Sequence, residues 1–146
     1  MNAELSLEFV DTNILVYAYD KTAGAKHLRA VTLLADLWQS RRGCISIQVL
    51  QEFYVVGRRT LVGLRAPDLR AILRDLSEWS LHTPTATDVL DAAELQERIQ
   101  VSFWDAMILQ SAMTLGCRII WSEDLNPGQQ YGSVRLLNPF QTSSKH

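Results

Sequence analysis

Four carboxylates stand where separate segments of the chain should converge: Asp11 in FVDTNIL, Glu52 in VLQEFY, Asp105 in SFWDAMIL and Asp124 in WSEDL. Each borders a strongly apolar run, where a bare acid is costly unless it finds a partner. Two unit charges ~4 Å apart repel by about 4 kcal/mol at an effective dielectric of 20. Four acids sharing one pocket therefore need a cation, and a hard divalent metal with oxygen ligands is the simplest.

Each acid also has a local explanation. Asp11 can cap a helix beginning near Asn13, and Asp124 can cap a turn before Asn126-Pro127-Gly128. Ser102-Phe103-Trp104-Asp105 has the spacing of a capping box, in which Asp105 reaches back to the backbone of Ser102. Thr85-x-x-Asp88 has the same spacing with no strand or apolar pocket expected beside it, so Asp88 reads as structural. Glu52 is harder to explain locally. It falls well inside a helix capped by Ser46, flanked by Val49, Leu50, Phe53 and Tyr54, with no basic residue one turn away. The joint placement of the four acids carries the functional reading.

The elements that must position them alternate between strand and helix. Leu5 to Val10 predicts a strand, with a helix from about Ile14 to Tyr19. Leu28, Val31, Leu34, Ala35 and Trp38 recur at helical spacing until Arg41-Arg42-Gly43 ends the run. Cys44 to Ile47 reads as a brief strand and Arg58 to Ala66 as a loop. Pro67 suits a first helical turn, and Leu69, Ile72, Leu73, Leu76 and Trp79 mark the face of the next helix. Ser80 to Thr83 is a weak strand. Val89, Ala92, Ala93 and Ile99 form another stripe, and Trp104 to Leu115 a further helix closed by Gly116. Arg118 to Trp121 and Val134 to Leu137 complete the strands. This rhythm predicts a mostly parallel sheet with helices on both faces, an α/β/α sandwich. Ligands of such sheets gather beyond the carboxyl ends of the strands, where Asp11 and Asp124 are expected.

Composition is compatible with this reading. A chain of 146 residues, 47% hydrophobic and 21% charged, is most economically one domain burying roughly two-thirds of its unfolded surface. Residues 1–140 read as that domain and 141–146 as a frayed tail. A net charge of -2 does not announce a nucleic-acid binder, but 11 of the 14 basic residues are Arg. Arg forks onto phosphate oxygens in a way Lys does not. Arg58, Arg59, Arg65, Arg70 and Arg74 crowd the middle of the chain and are the candidate nucleic-acid contacts. Cys44 and Cys117 lack metal-ligand spacing and read as buried reduced thiols. The N-terminus lacks the basic start and apolar stretch of a signal peptide, and no run is long enough for a membrane span. A soluble cytoplasmic protein is expected.

Asp11-Thr12-Asn13 after a strand, then Gln51-Glu52-Phe53, Trp104-Asp105-Ala106 and Ser122-Glu123-Asp124 resemble the four-acid layout of the PIN domain. The resemblance is closest to the VapC-type toxin ribonucleases of bacterial toxin–antitoxin pairs and runs from about Glu8 to Leu137. It implies a parallel sheet of about five strands, a Mg²⁺ or Mn²⁺ site, cleavage of single-stranded RNA, and a homodimer. It also implies a VapB-type antitoxin partner that plugs the acidic pocket. Between the last two acids, Asp124 is assigned because it follows Ser122 in the family's hydroxyl-x-acid spacing. Glu123 is expected to alternate away from the pocket.

Phosphodiester hydrolysis must activate a water and stabilise negative charge on the phosphoryl and leaving oxygens, which one or two divalent cations do. Mg²⁺ keeps several waters and takes few carboxylates directly. Asp11 and Asp105 are therefore expected as leading ligands, with Glu52 and Asp124 acting directly or through water. Thr12, Asn13 and Ser122 would orient these groups. Two other PIN-like readings are a housekeeping RNA-processing nuclease and an idle binding module that kept the acidic pocket. A phosphoacceptor receiver domain also puts acids at strand ends but needs a Lys at the phosphoryl group. Lys21, Lys26 and Lys145 follow no late strand.

Overall fold

The computed structural model describes residues 6–125 and 128–141. Six strands form one sheet: β1 (Glu8–Val10), β2 (Gly43–Ser46), β3 (Ser80–His82), β4 (Ile119–Trp121), β5 (Gln130–Tyr131) and β6 (Val134–Leu137), in the order β3-β2-β1-β4-β6-β5. Five run parallel, and the two-residue β5 adds an antiparallel edge against β6. The helices are α1 (Thr12–Tyr19), α2 (Ala25–Ser40), α3 (Ile47–Thr60), α4 (Ala66–Leu76), α5 (Ala86–Ile99) and α6 (Phe103–Thr114). Helix α1 contacts α2 and α3, α3 contacts α4, and α5 packs on α6. The result is the three-layer α/β/α sandwich. Among the described residues no helix is long and apolar enough to cross a membrane.

The central strands are short because they need only fill the middle layer. Phe9, Ile45 and Ile120 are fully buried and Leu136 nearly so, the apolar signature of strands covered on both faces. The chain leaves β1 toward β2 on one side and β4 on the other. This reversal opens a crevice past the carboxyl ends of β1 and β4. Asp11 and Ser122 are the first residues beyond those two strands.

Several elements differ from the sequence reading. The segment expected as a loop from Arg58 is helical through Thr60, so Arg58 and Arg59 form the last turn of α3, where cations complement the helix dipole. Helix α2 buries Ala30, Leu33, Leu34 and Leu37, while Leu28 and Val31 are exposed. Its apolar arc is broader than one stripe, and the core takes the other half. Likewise α5 buries Asp88, Ala92 and Leu95 and leaves Val89 outside. Gly43 does not end α2; Arg41 does, at φ 62. Gly43 instead starts β2, where a Cβ would stand 2.7 Å from the Trp79 ring. The Cys44 and Cys117 thiols are free, buried and 2.7 Å apart. Their hydrogen bond, followed by burial, pushes the Cys44 thiol up. Of the tail read as frayed, 142–146 lie outside the described residues, as do Leu5 and the Asn126-Pro127 turn.

Candidate active site

The tripeptide Asp11-Thr12-Asn13 organises the site because three of its polar groups reach three different acids. Asp11 N-caps α1: its Oδ1 accepts from Thr12 N at 2.8 Å and its Oδ2 accepts from Ser122 Oγ at 2.8 Å. The Thr12 hydroxyl donates to Glu52 Oε1 at 2.8 Å. The Asn13 amide donates to Asp124 Oδ2 at 2.8 Å. Ser122, 1% exposed, accepts from the backbone N–H groups of Asp124 and Leu125 at 3.2 and 3.3 Å. That shapes the turn after β4 and aims Asp124 back at α1. The capping and functional readings of Asp11 therefore describe one arrangement: the cap fixes the carboxylate at the crevice.

Glu52 sits inside α3, where the Ser46 cap sets the helix's start. Gln48, one turn earlier, donates to Glu52 Oε2 at 3.2 Å and to the Trp104 carbonyl at 3.3 Å, tying α3 to the start of α6. Asp105 enters from the first turn of α6. The Ser102 hydroxyl accepts from Asp105 N at 3.0 Å, but Asp105 does not return the bond to the Ser102 backbone as the box at Thr85 and Asp88 does. Its carboxylate lines the cleft instead. Asp11, Glu52, Asp105 and Asp124 all line one open cleft of about 670 Å³ that extends along Val16, Val55 and Val56. All four sequence-predicted acids thus converge.

Their electrostatics show strain. Burial raises the Asp11 pKa to about 6, against the hydrogen bonds from Ser122 and Thr12 N that lower it, and the charges of Glu52 and Asp105 add to the rise. Burial also raises Asp105, partly offset by Ser102 and reinforced by the charges of Asp124 and Glu52. Both acids hold their protons more tightly than free carboxyls because each is desolvated among like charges.

Other neighbours were not foreseen. Tyr17, on α1 and lining the cleft, donates to Glu123 Oε1 at 2.9 Å, and Lys26 of α2 forms a salt bridge with Glu123 Oε2. Lys26 lies 5.1 Å from the Tyr17 ring centroid. Glu123 therefore turns away from the cleft as expected and takes Lys26 of α2 as its partner, and neither residue lines the cleft. The signal for Tyr17 was its place one helical turn beyond Asn13. Asp88 is not isolated as expected: the ring of His82, at the end of β3, lies 3.3 Å from its carboxylate, and Ser111 of α6 is 2.8 Å from the other ring nitrogen. None of the five candidate Arg residues lines the cleft. Arg58 and Arg59 are exposed at the end of α3, Arg65 pairs with Asp68 at 3.8 Å, and Arg70 and Arg74 lie exposed on α4. Arg59 is two turns beyond Glu52 on the same helical face.

Among the described residues no three acid, His or Cys side chains close tightly enough to cage one metal ion. The donor set is nonetheless all oxygen, and Asn13 Oδ1, on a residue lining the cleft, is buried without a hydrogen-bond partner, as is Oε1 of Gln48 next to Glu52. Orphaned acceptors beside carboxylates suit the water shell of a hydrated hard cation held by one or two acids. The residues present therefore fit Mg²⁺ or Mn²⁺ with retained waters and do not fit a metal needing three tightly grouped protein ligands.

A PIN-domain sequence profile matches residues 9–129, and the chain belongs to the PIN-domain family. No curated protein sequence matches it. Solved structures do. The Mycobacterium tuberculosis toxin VapC20, described as cleaving the sarcin-ricin loop, is 25% identical with a TM-score of 0.64, covering 82% of this chain and 91% of that one. A toxin–antitoxin complex from Klebsiella pneumoniae superposes with a TM-score of 0.68 at 17% identity, over 94% of this chain and 100% of the other. The VapBC2 complex of Rickettsia felis, bound to promoter DNA, gives 0.64 at 18% identity, over 90% and 98%.

Proposed function

We propose that this protein is a divalent-metal-dependent endoribonuclease that cleaves single-stranded regions of RNA as the toxin of a type II toxin–antitoxin pair. The observation that carries the reading is the convergence of Asp11, Glu52, Asp105 and Asp124 on one cleft, three of them held by Asp11-Thr12-Asn13. The fold shared with solved toxin–antitoxin complexes, VapBC complexes among them, supports a VapB-type antitoxin as partner, and a homodimer is expected.

Mg²⁺ or Mn²⁺, held by Asp11 and Asp105 with Glu52 and Asp124 reached directly or through water, would supply an acidified water and neutralise charge on the phosphate oxygens. The chain's own groups prepare that chemistry. Ser122 and Thr12 N each occupy one oxygen of Asp11 and fix the carboxylate plane. Thr12 keeps Glu52, and Asn13 keeps Asp124, from swinging away under mutual repulsion. An antitoxin inserting a basic side chain into the cleft would satisfy the same carboxylates and exclude substrate.

The test is cleavage of single-stranded RNA with and without Mn²⁺. Asp11→Asn, Glu52→Gln and Asp105→Asn are expected to lose cleavage by orders of magnitude while keeping the fold by circular dichroism. Wild-type protein that leaves RNA intact with either metal would overturn the nuclease reading.

A further inference from the structure

At the opposite end of the sheet from the acids, three guanidinium groups gather. Arg42 immediately precedes β2, Arg118 immediately precedes β4, and Arg135 lies in β6. They line a second cleft of about 330 Å³, together with Glu8, Gln130 and Ser133. The register explains the convergence. Glu8 pairs with Ile119, Ile119 with Arg135, and Arg135 with Gln130 across four strands. Residues directly opposite in a ladder project to the same face, so Glu8, Arg135 and Gln130 share one row. The backbone bond from Arg135 N to Arg118 O, 2.9 Å, sets Arg118 beside that row.

Among the described residues the cleft is under-neutralised. Glu8 is the one carboxylate among its described lining residues. Glu8 is already engaged: Oε1 accepts from Trp121 Nε1 at 2.8 Å, and Oε2 lies 4.0 Å from Arg42. Arg118 and Arg135 are exposed, and neither has an ion pair among the described residues. Two guanidiniums without an ion pair among the described residues, in a concave polar site on a chain of net charge -2, form a local exception to the acidic average. Forked donors suit the oxygens of phosphodiesters.

We propose that the Arg42, Arg118 and Arg135 cleft binds the phosphate backbone of the RNA at a point remote from the scissile bond. Asp11 is three residues along β1 from Glu8, so the two ends are about 10 Å apart along the strand. An RNA long enough to leave the acidic cleft meets this basic end and gains affinity that the acids themselves oppose. This assignment rests on the nuclease reading and deepens it with a second contact on the substrate.

The experiment first measures cleavage by the wild-type chain. It then measures the salt dependence of binding, in an Asp11→Asn background, to a long mixed-sequence single-stranded RNA. Each phosphate contact contributes a slope of about 0.7 on a log–log plot for single strands, so Arg118→Gln with Arg135→Gln should flatten it by about 1.4. Arg118→Lys with Arg135→Lys should restore the slope, since a point charge still displaces counterions. Arg98→Gln, on the exposed side of α5, should leave the slope unmoved. An unchanged slope in the double Gln protein overturns the remote contact, even if wild-type cleavage stands. A change seen with duplex DNA but not with RNA overturns the choice of RNA. Wild-type protein that neither binds nor cuts RNA removes both readings together.

Discussion

At the residue scale, Asp11 is the acid whose environment works hardest against its charge. Its carboxyl titrates at about 6 in the folded chain against 3.8 when free, mainly through burial. A raised acid pKa means that the folded state binds the proton more tightly. Stability is therefore lost, not gained, as pH rises from about 4 to about 6, by up to ~3 kcal/mol at 1.36 kcal/mol per unit. Without metal, Asp11→Asn is expected to melt above wild type at neutral pH, the gap closing near pH 4; equal melting curves at neutral pH would sink the argument. A cation competes with the same proton, so Mn²⁺ affinity by titration calorimetry should weaken as pH falls below about 6. Thr12 offers a separate test. Its hydroxyl holds Glu52, and Thr12→Val removes that bond at a stability cost of about 1 kcal/mol. Cleavage should fall about 10-fold or more because a freed Glu52 leaves its position. Unaltered cleavage by folded Thr12→Val would make the bond structural only.

At the scale of elements, most of the framework was legible because it depends on local signals. Ser46 before α3, the apolar runs of β1 and β4, and Gly116 after α6 each announce their structure in a few residues. The acids were legible for a related reason: Asp11, Asp105 and Asp124 sit at boundaries that apolar patterning marks, and Glu52 is a bare acid inside an apolar stretch of α3. What local pattern misses is the choice between two apolar faces of one helix. Helix α2 carries apolar residues around more than half its circumference, and tertiary packing chose Ala30, Leu33, Leu34 and Leu37. Partners distant in sequence were also hidden. Lys26 meets Glu123 only because α2 crosses behind the turn after β4, and His82 meets Asp88 and Ser111 only because α5 and α6 pack against the end of β3. That last network makes Asp88 a structural acid of larger reach than a cap. Asp88→Ala breaks its 2.8 Å bond from Thr85 N and should cost about 1 kcal/mol in urea unfolding. The bond from Thr85 N is the first cause holding the Asp88 carboxyl below its usual range. The stabilisation it supplies is present above the free carboxylate's pKa and disappears as pH falls through the folded value. The folded variant should still cut RNA, because Asp88 lies outside the acidic cleft; loss of cleavage with the fold intact would place Asp88 in the site's support.

At the scale of the whole molecule, the acidic cleft is a liability until something positive fills it. Five carboxylates line it, Asp20 beside the four converging acids, with no basic side chain among the cleft's described lining residues, and Lys26 is committed to Glu123 nearby. Three agents can relieve that field: protons, a divalent cation and a basic side chain of an antitoxin. Anything that binds the native state alone stabilises it by linkage, by about 2.7 kcal/mol at 100 times its dissociation constant, and so raises its melting temperature. Millimolar Mn²⁺ should therefore raise the wild-type melting temperature and raise that of Asp11→Asn much less. A wild-type melting curve indifferent to Mn²⁺ would count against a shared cation. The biological counterpart follows from the third agent. If the cleft is silenced in the cell by a partner, the chain expressed without that partner should arrest growth, and Asp11→Asn should relieve the arrest at equal abundance. Supplying a cognate antitoxin should both restore growth and abolish the Mn²⁺ shift in the purified complex, because both occupants require the same carboxylates. Growth arrest that persists in the folded Asp11→Asn protein would separate toxicity from the acids and refute the link between cleft and cell.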